Sequence, residues 1–226
     1  MSIDFHTSKR WQKNYPDALM GVLAIAGIDN TSHSDALEME KEALVRWLEE
    51  RYDSREMIKS NVILKAYARY YKRFQKNYHV FYQIESVAIK GKPIPSVNAL
   101  VEAMFMAELQ HGLLTAGHDF DQIRGTVTLD AASGEECYTT MSGQKKTLQA
   151  GDMFVRDAAG VLSSILYGPD KRSRITEKTE RALFTVYAVE GIPTDMVQTH
   201  LDRILGWIRL FSPSSNILMN DAYHAG

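Results

Sequence analysis

Residues 94–125 read IPSVNALVEAMFMAELQHGLLTAGHDFDQIRG and carry the change from helix to strand on which the fold class depends. The apolar run that starts at Ala99 reads as a helix, with Ser96 as its cap and Gly112 at its end. The passage through Gly112 and Gly117 then sets His118 beside Asp119, in what reads as a tight turn before the next strand. From such a turn both side chains can face one pocket, where an imidazole orders a water or a carbonyl. A simpler reading fits the same residues: Asp119 caps the turn and His118 lies on the surface.

Upstream, ALMGVLAIAGI (18–28) is short, apolar and ended by DNTSHSD (29–35), which reads as a buried strand and a loop. SDALEMEKEALVRWLEERY (34–52) reads as a helix capped by Ser34 or Asp35, with Leu37, Leu44, Trp47 and Leu48 as its stripe. SNVILKAYARYYKRFQ (60–75) repeats Ala66, Tyr67, Tyr70, Tyr71 and Phe74 at helical spacing, and YHVFYQIESVAIKGKP (78–93) is a further helix stopped by Gly91 and Pro93. Downstream the period changes to that of strands: TVTLDAA (126–132), a turn at SGEE (133–136), and two strands joined by DAAG within GDMFVRDAAGVLSSILYG (151–168). RALFTVYAVEG (181–191) is a strand apolar on both faces. Pro193 and Thr194 open a closing helix with Val197, Leu201, Ile204, Leu205 and Ile208 on one side. Helices in the first half and mostly antiparallel sheet layers in the second indicate an α+β fold. No linker divides residues 1–226, so a single domain is expected.

The chain has 226 residues and a formal net charge of -2, so binding to nucleic acid through overall charge is not expected. A lone cysteine, Cys137, allows no internal disulfide and suits a reducing, cytoplasmic setting. The N-terminal residues lack the apolar core of a signal peptide, and the longest apolar stretch is about half of a membrane span. Glycine-rich phosphate loops, H-E-x-x-H and the G-x-S-x-G elbow are all missing, so neither a cofactor nor a metal is expected. Ser163 and Ser164 read as strand hydroxyls that satisfy neighbouring backbone groups rather than as nucleophiles. YGPDKRSRITEKTER (167–181) brings Lys171, Arg172, Arg174, Lys178 and Arg181 together, which makes either a local anion site or a solvated charged loop.

KGKPIPSVNALVEAM, GHDFDQIRG, SGEE, LQAGDMFVRDAAGVL and RITEKTERALFTVYAVEG follow one another as in the B3/B4 domain of the phenylalanyl-tRNA synthetase β subunit. The chain resembles still more the free-standing proteins built on that domain, over roughly Ile58 to Gly191. The resemblance implies an α+β fold with a sheet-walled pocket, and an editing activity that hydrolyses the ester of a wrongly charged tRNA, here in trans. It implies catalytic positions at His118, Asp119 and Asn98, with Lys171, Arg172, Arg174, Thr185 and Tyr187 contacting the aminoacylated 3′ end of tRNA and its amino-acid moiety. The family's histidine falls on Ala116, so the imidazole is displaced by two positions. The family's glutamate falls near Lys171, and a small residue of the family falls near Tyr187. The alternative is a non-catalytic module that binds tRNA or a free amino acid.

Overall fold

A computed structural model describes residues 4–30 and 34–225. The expected loop at 29–35 therefore lies partly outside the described residues, at Thr31–His33. Strand β1 (Phe5–Thr7), helix α1 (Lys9–Asn14) and strand β2 (Leu19–Ala26) open the chain. Helices α2 (Asp35–Arg51), α3 (Arg55–Ser60), α4 (Val62–Lys72), α5 (His79–Ala88) and α6 (Ala99–His111) follow. Then come strands β3 (Thr115–Asp119), β4 (Val127–Ala131), β5 (Cys137–Thr139), β6 (Lys145–Thr147), β7 (Met153–Asp157), β8 (Gly160–Ser164), β9 (Gly168–Pro169) and β10 (Arg181–Ala188). Helix α7 (Thr194–Phe211) and strand β11 (Asn216–His224) close it.

The strands form a four-stranded antiparallel sheet, β11-β2-β10-β3, and a five-stranded sheet, β1-β4-β7-β8-β9, in which only β1 and β4 run parallel. Strand β10 is hydrogen-bonded on both sides, to β2 and to β3, and all its residues from Ala182 to Ala188 are buried. That placement accounts for its unbroken apolar run. Its residues alternate in facing. Val186 lies opposite Gly21 and faces α7, whereas Tyr187 reaches across to Ser163 of β8 in the second sheet. The stripe Val197, Leu201, Ile204, Leu205 and Ile208 of α7 is buried over β2 and β11.

Two expectations from the sequence are corrected. The stretch around His118 is no turn: Thr115–Asp119 is a fully buried edge strand paired with β10, and the turn begins only at Phe120. The cap of α6 is Asn98, whose Oδ1 accepts the Val101 N–H at 3.1 Å, and not Ser96. Ser96 instead meets the ammonium of Lys41, a buried lysine that α2 holds against Glu102 of α6 at 2.6 Å. The left-handed Gly112 does end α6 as expected. Strand β11 was not foreseen, because ILMNDAYH mixes polar and apolar residues at a half-exposed sheet edge.

Helix α7 lies so close to β2 that a Cβ on Gly21 would stand 2.5 Å from Val197 Cγ1. Gly21→Ala is therefore expected to push α7 from the sheet and destabilise the protein by ~1–3 kcal/mol, read as a lower urea midpoint at unchanged slope. An unchanged midpoint would show that this contact does not set the spacing.

Candidate functional site

Strand β3 is the edge of the four-stranded sheet, and β9 the edge of the five-stranded one. Where these edges meet, under α6, lies a pocket of about 270 Å³. Met104, Glu108, Gly117, Ile175 and Tyr187 line it, and Arg174 is also in its wall. Gly117 keeps it open, since a Cβ there would stand 2.8 Å from Ile175 Cδ1 and 3.0 Å from Met104 Sδ. The walls are mostly apolar with a few polar groups, the usual make-up of a small-molecule site.

The principal acid of this pocket is Glu108. It is buried, and its Oε1 accepts the Thr115 N–H at 2.8 Å. Burial raises its pKa to about 8, and the Thr115 bond opposes that only in part. Behind it, Thr115 Oγ1 lies 2.7 Å from Nε2 of the buried His200, whose Nδ1 lies 3.1 Å from Nδ1 of His111. Burial holds both imidazoles below their ordinary pKa, that of His111 at about 4, so this pair is neutral.

Next to the pocket, an open groove of about 750 Å³ is lined by Asp119, Asp121, Gln122, Thr139, Lys171, Arg172, Arg174, Thr176 and Lys178. Arg174 belongs to both linings, so groove and pocket share a wall there. Not every cation of this loop is free. Arg172 lies 3.0 Å from Asp157 and 3.5 Å from Asp170, and Arg181 is paired with Asp121. Among the described residues Lys171, Arg174 and Lys178 have no carboxylate partner.

His118, Asp119 and Asn98 do not share a cavity, contrary to expectation. His118 is fully enclosed between the sheets. Its Nδ1 lies 2.7 Å from Ser173 Oγ, and its Nε2 lies 3.2 Å from Ser163 Oγ. Ser173 gives its hydroxyl proton to Asp170, so it accepts from His118 Nδ1–H. The bare Nε2 then accepts from Ser163 Oγ, which lies 2.8 Å from the Tyr187 hydroxyl, itself a donor to the Ser163 carbonyl oxygen at 3.0 Å. A neutral imidazole completes this chain. Burial, reinforced by the nearby Arg172, lowers the His118 pKa to about 3. Asp119 caps the turn through the Asp121 N–H at 2.9 Å, accepts the Thr179 hydroxyl at 2.8 Å, and borders the groove. Asn98 caps α6, bonds Asn30 at 3.2 Å, and borders a separate hollow with Glu38 and Glu102. Thr185 is buried on β10, and its hydroxyl lacks a partner among the described residues. The strand period explains the displaced histidine: Ala116 and His118 share a face of β3, but Ala116 reaches the pocket and His118 lies deeper. Sequence reasoning missed Glu108, Gly117 and Ile175. The available signal was a carboxylate at position 108 within the apolar run MFMAEL.

Among the described residues no group of three or more His, Cys, Asp or Glu side chains is placed to hold a metal ion. No described helix is long and apolar enough to cross a membrane.

The family model of the B3/4 domain matches residues 64–204, more than half of the chain. The chain belongs to the B3/4 domain family. It is similar to the phenylalanine–tRNA ligase beta subunit of Tropheryma whipplei (strain Twist), at 32% identity over 90 residues, which are 40% of this chain and 9% of that protein. It therefore spans only a small part of that relative's length. A crystal structure of an N-terminal fragment of the phenylalanyl-tRNA synthetase beta subunit from Pyrococcus horikoshii shares the fold, with a TM-score of 0.51 at 11% identity. That match covers 96% of this chain and 50% of the fragment. The α+β architecture of this B3/4 domain is thus the one the sequence motifs implied.

Because the folded pKa of His118 is depressed, its neutral form stabilises the fold fully above about pH 6.5. That contribution is lost as pH falls from there toward 3. His118→Gln is expected to be less stable than wild type at pH 8, with the gap closing by up to about 1.4 kcal/mol per pH unit below pH 6.5. Urea unfolding across this range measures it, and a gap independent of pH would show that His118 is not held neutral.

Proposed function

We propose that this protein hydrolyses, in trans, the ester of a mischarged tRNA. The observation that carries the reading is Arg174, which lines both the apolar pocket and the cationic groove. An aminoacylated 3′ end has the matching halves: an amino-acid group sized for a pocket, joined through a ribose to phosphates. In this reading the amino-acid moiety enters beside Tyr187 and Gly117, and Arg174, Lys171 and Lys178 meet the phosphates.

The reaction is attack of water on the ester carbonyl, with departure of the ribose oxygen. The ester is already activated, so holding it rigidly near a water and near hydrogen-bond donors supplies much of the acceleration. The vicinal ribose hydroxyl offers one such donor. His118 acts at a distance, as a positioning residue: through Ser163 it fixes the phenol of Tyr187 in the pocket wall. Asp119 shapes the groove, and Asn98 anchors the start of α6. Arg172 is already neutralised by Asp157 and Asp170, so it orders the groove more than it attracts phosphate. The membership of this family in the synthetase beta subunit supports the tRNA reading. A second reading, binding without hydrolysis, is favoured by the enclosure of His118 away from the pocket.

A panel of mischarged tRNAs, each scored for ester loss, separates the two readings. Hydrolysis is expected, with a preference for acyl side chains smaller than tyrosine because the Tyr187 ring occupies the wall. Tyr187→Ala is expected to admit larger side chains at a cost of ~3–5 kcal/mol in stability, whereas Tyr187→Phe retains the selectivity. Ester loss no faster than in buffer for every tRNA would leave the protein a binder. Efficient hydrolysis of tyrosyl-tRNA by the wild type would refute the role given to the ring.

Arg174→Ala combined with Lys178→Ala is expected to weaken tRNA binding and to reduce the slope of log affinity against log salt by about 1.4, roughly 0.7 per lost contact to a single strand. Titrations from low to moderate salt measure this. An unchanged slope would show that the groove is merely a solvated surface.

A further inference from the structure

Glu108 is unusual for its surroundings. Helix α6 buries residues on all sides, and Glu108 sits among Met106, Ala107 and Leu109. Its Oε1 is used by the Thr115 N–H, and among the described residues its Oε2 has no hydrogen-bond partner. Nor does an arginine or lysine among the described residues pair with it. The phenols Tyr67, Tyr71 and Tyr78 lie near enough to feel its charge, but they cannot neutralise it. His79 shares the pocket, and burial lowers its pKa, so it is no counter-ion. Arg174 stands in the wall of the same pocket without forming an ion pair with Glu108.

A carboxylate buried without a cation is costly, and such a group takes up a proton. A ligand that brings its own cation reverses this. An ammonium placed at Oε2 lets the carboxyl release its proton to solvent and form a charge-assisted hydrogen bond in an apolar enclosure. The class of ligand proposed for this pocket carries one such group whatever its side chain, the α-ammonium.

We infer that Glu108 is a specificity-determining residue that recognises the free α-ammonium of the acyl group, through the Oε2 that Thr115 leaves open. This deepens the deacylase reading and rests on its assignment of the acyl group to this pocket. An N-acylated ester lacks the charge, so it forgoes this contact and binds more weakly. The arrangement favours aminoacyl esters with a free amine over N-blocked ones.

The test uses the full chain and a stable mimic, 3′-alanylamino-3′-deoxyadenosine, whose amide replaces the ester, in forms with the α-amine free or acetylated. Calorimetry is expected to show the free-amine form bound roughly tenfold or more tightly than the acetylated one. In Glu108→Gln, which keeps an acceptor for the Thr115 N–H, the two affinities are expected to converge to within about twofold. Circular dichroism and a melting curve confirm that the variant is folded. Equal binding of both forms by the wild type, no binding of either, or an undiminished preference in Glu108→Gln would each overturn the inference. Ester hydrolysis is scored separately. Discrimination without hydrolysis sinks the deacylase reading but not Glu108, and hydrolysis that ignores N-acetylation sinks Glu108 but not the deacylase.

Discussion

Tyr187 ties together the elements that make the pocket. Its hydroxyl reaches Ser163 of the opposite sheet, its carbonyl accepts the Tyr67 hydroxyl at 2.5 Å, and its N–H donates to Leu114 O at 3.0 Å. The Tyr67 hydroxyl in turn accepts the Leu114 N–H at 3.0 Å. One residue thus joins β10, β8, α4 and the entry to β3. Burial drives its phenol pKa far up, so the hydroxyl stays a proton donor at any ordinary pH. A buried polar group retains its partners because losing one leaves the other unsatisfied in a low dielectric. The pocket wall is therefore held in place by hydrogen bonds as well as by packing.

The pocket lies where it does because both sheets end there. Interior strands such as β10 are bonded on both sides and have no room to admit a ligand. The edges β3 and β9 are free on one side, and a free sheet edge must be covered or used. Here α6 covers the gap incompletely, and Gly117 supplies the missing volume. The same helix brings Glu108 into the pocket, so the element that closes the core also introduces a buried acid whose pKa burial raises.

Electrostatics follow placement more than totals. The net charge of -2 suggests nothing about a polyanion, yet the loop after β9 gathers Lys171, Arg174 and Lys178 along one groove. Neighbouring arginines in that loop have opposite fates. Arg172 is spent on the buried carboxylates of Asp157 and Asp170, whereas Arg174 is exposed in the shared wall of groove and pocket.

The sequence by itself determined the α+β class, the helices with apolar stripes, the doubly buried β10 and the position of the basic loop, because these follow from local periodicity and capping chemistry. The motifs around Asn98, Asp119 and Tyr187 likewise pointed to the family. Only the tertiary structure decided the rest. AGHD reads as a turn because its glycine and short polar residues favour turns, but hydrogen bonding to β10 makes it a strand and buries His118. β11 is invisible locally because it is built on the edge of β2, a strand nearly two hundred residues earlier in the chain. Glu108 interrupts the apolar run MFMAEL, but helical period alone does not distinguish a carboxylate facing a pocket from one facing water. That distinction arises when β3, β9 and α6 meet, and contacts between residues far apart in the chain are what a linear reading cannot see.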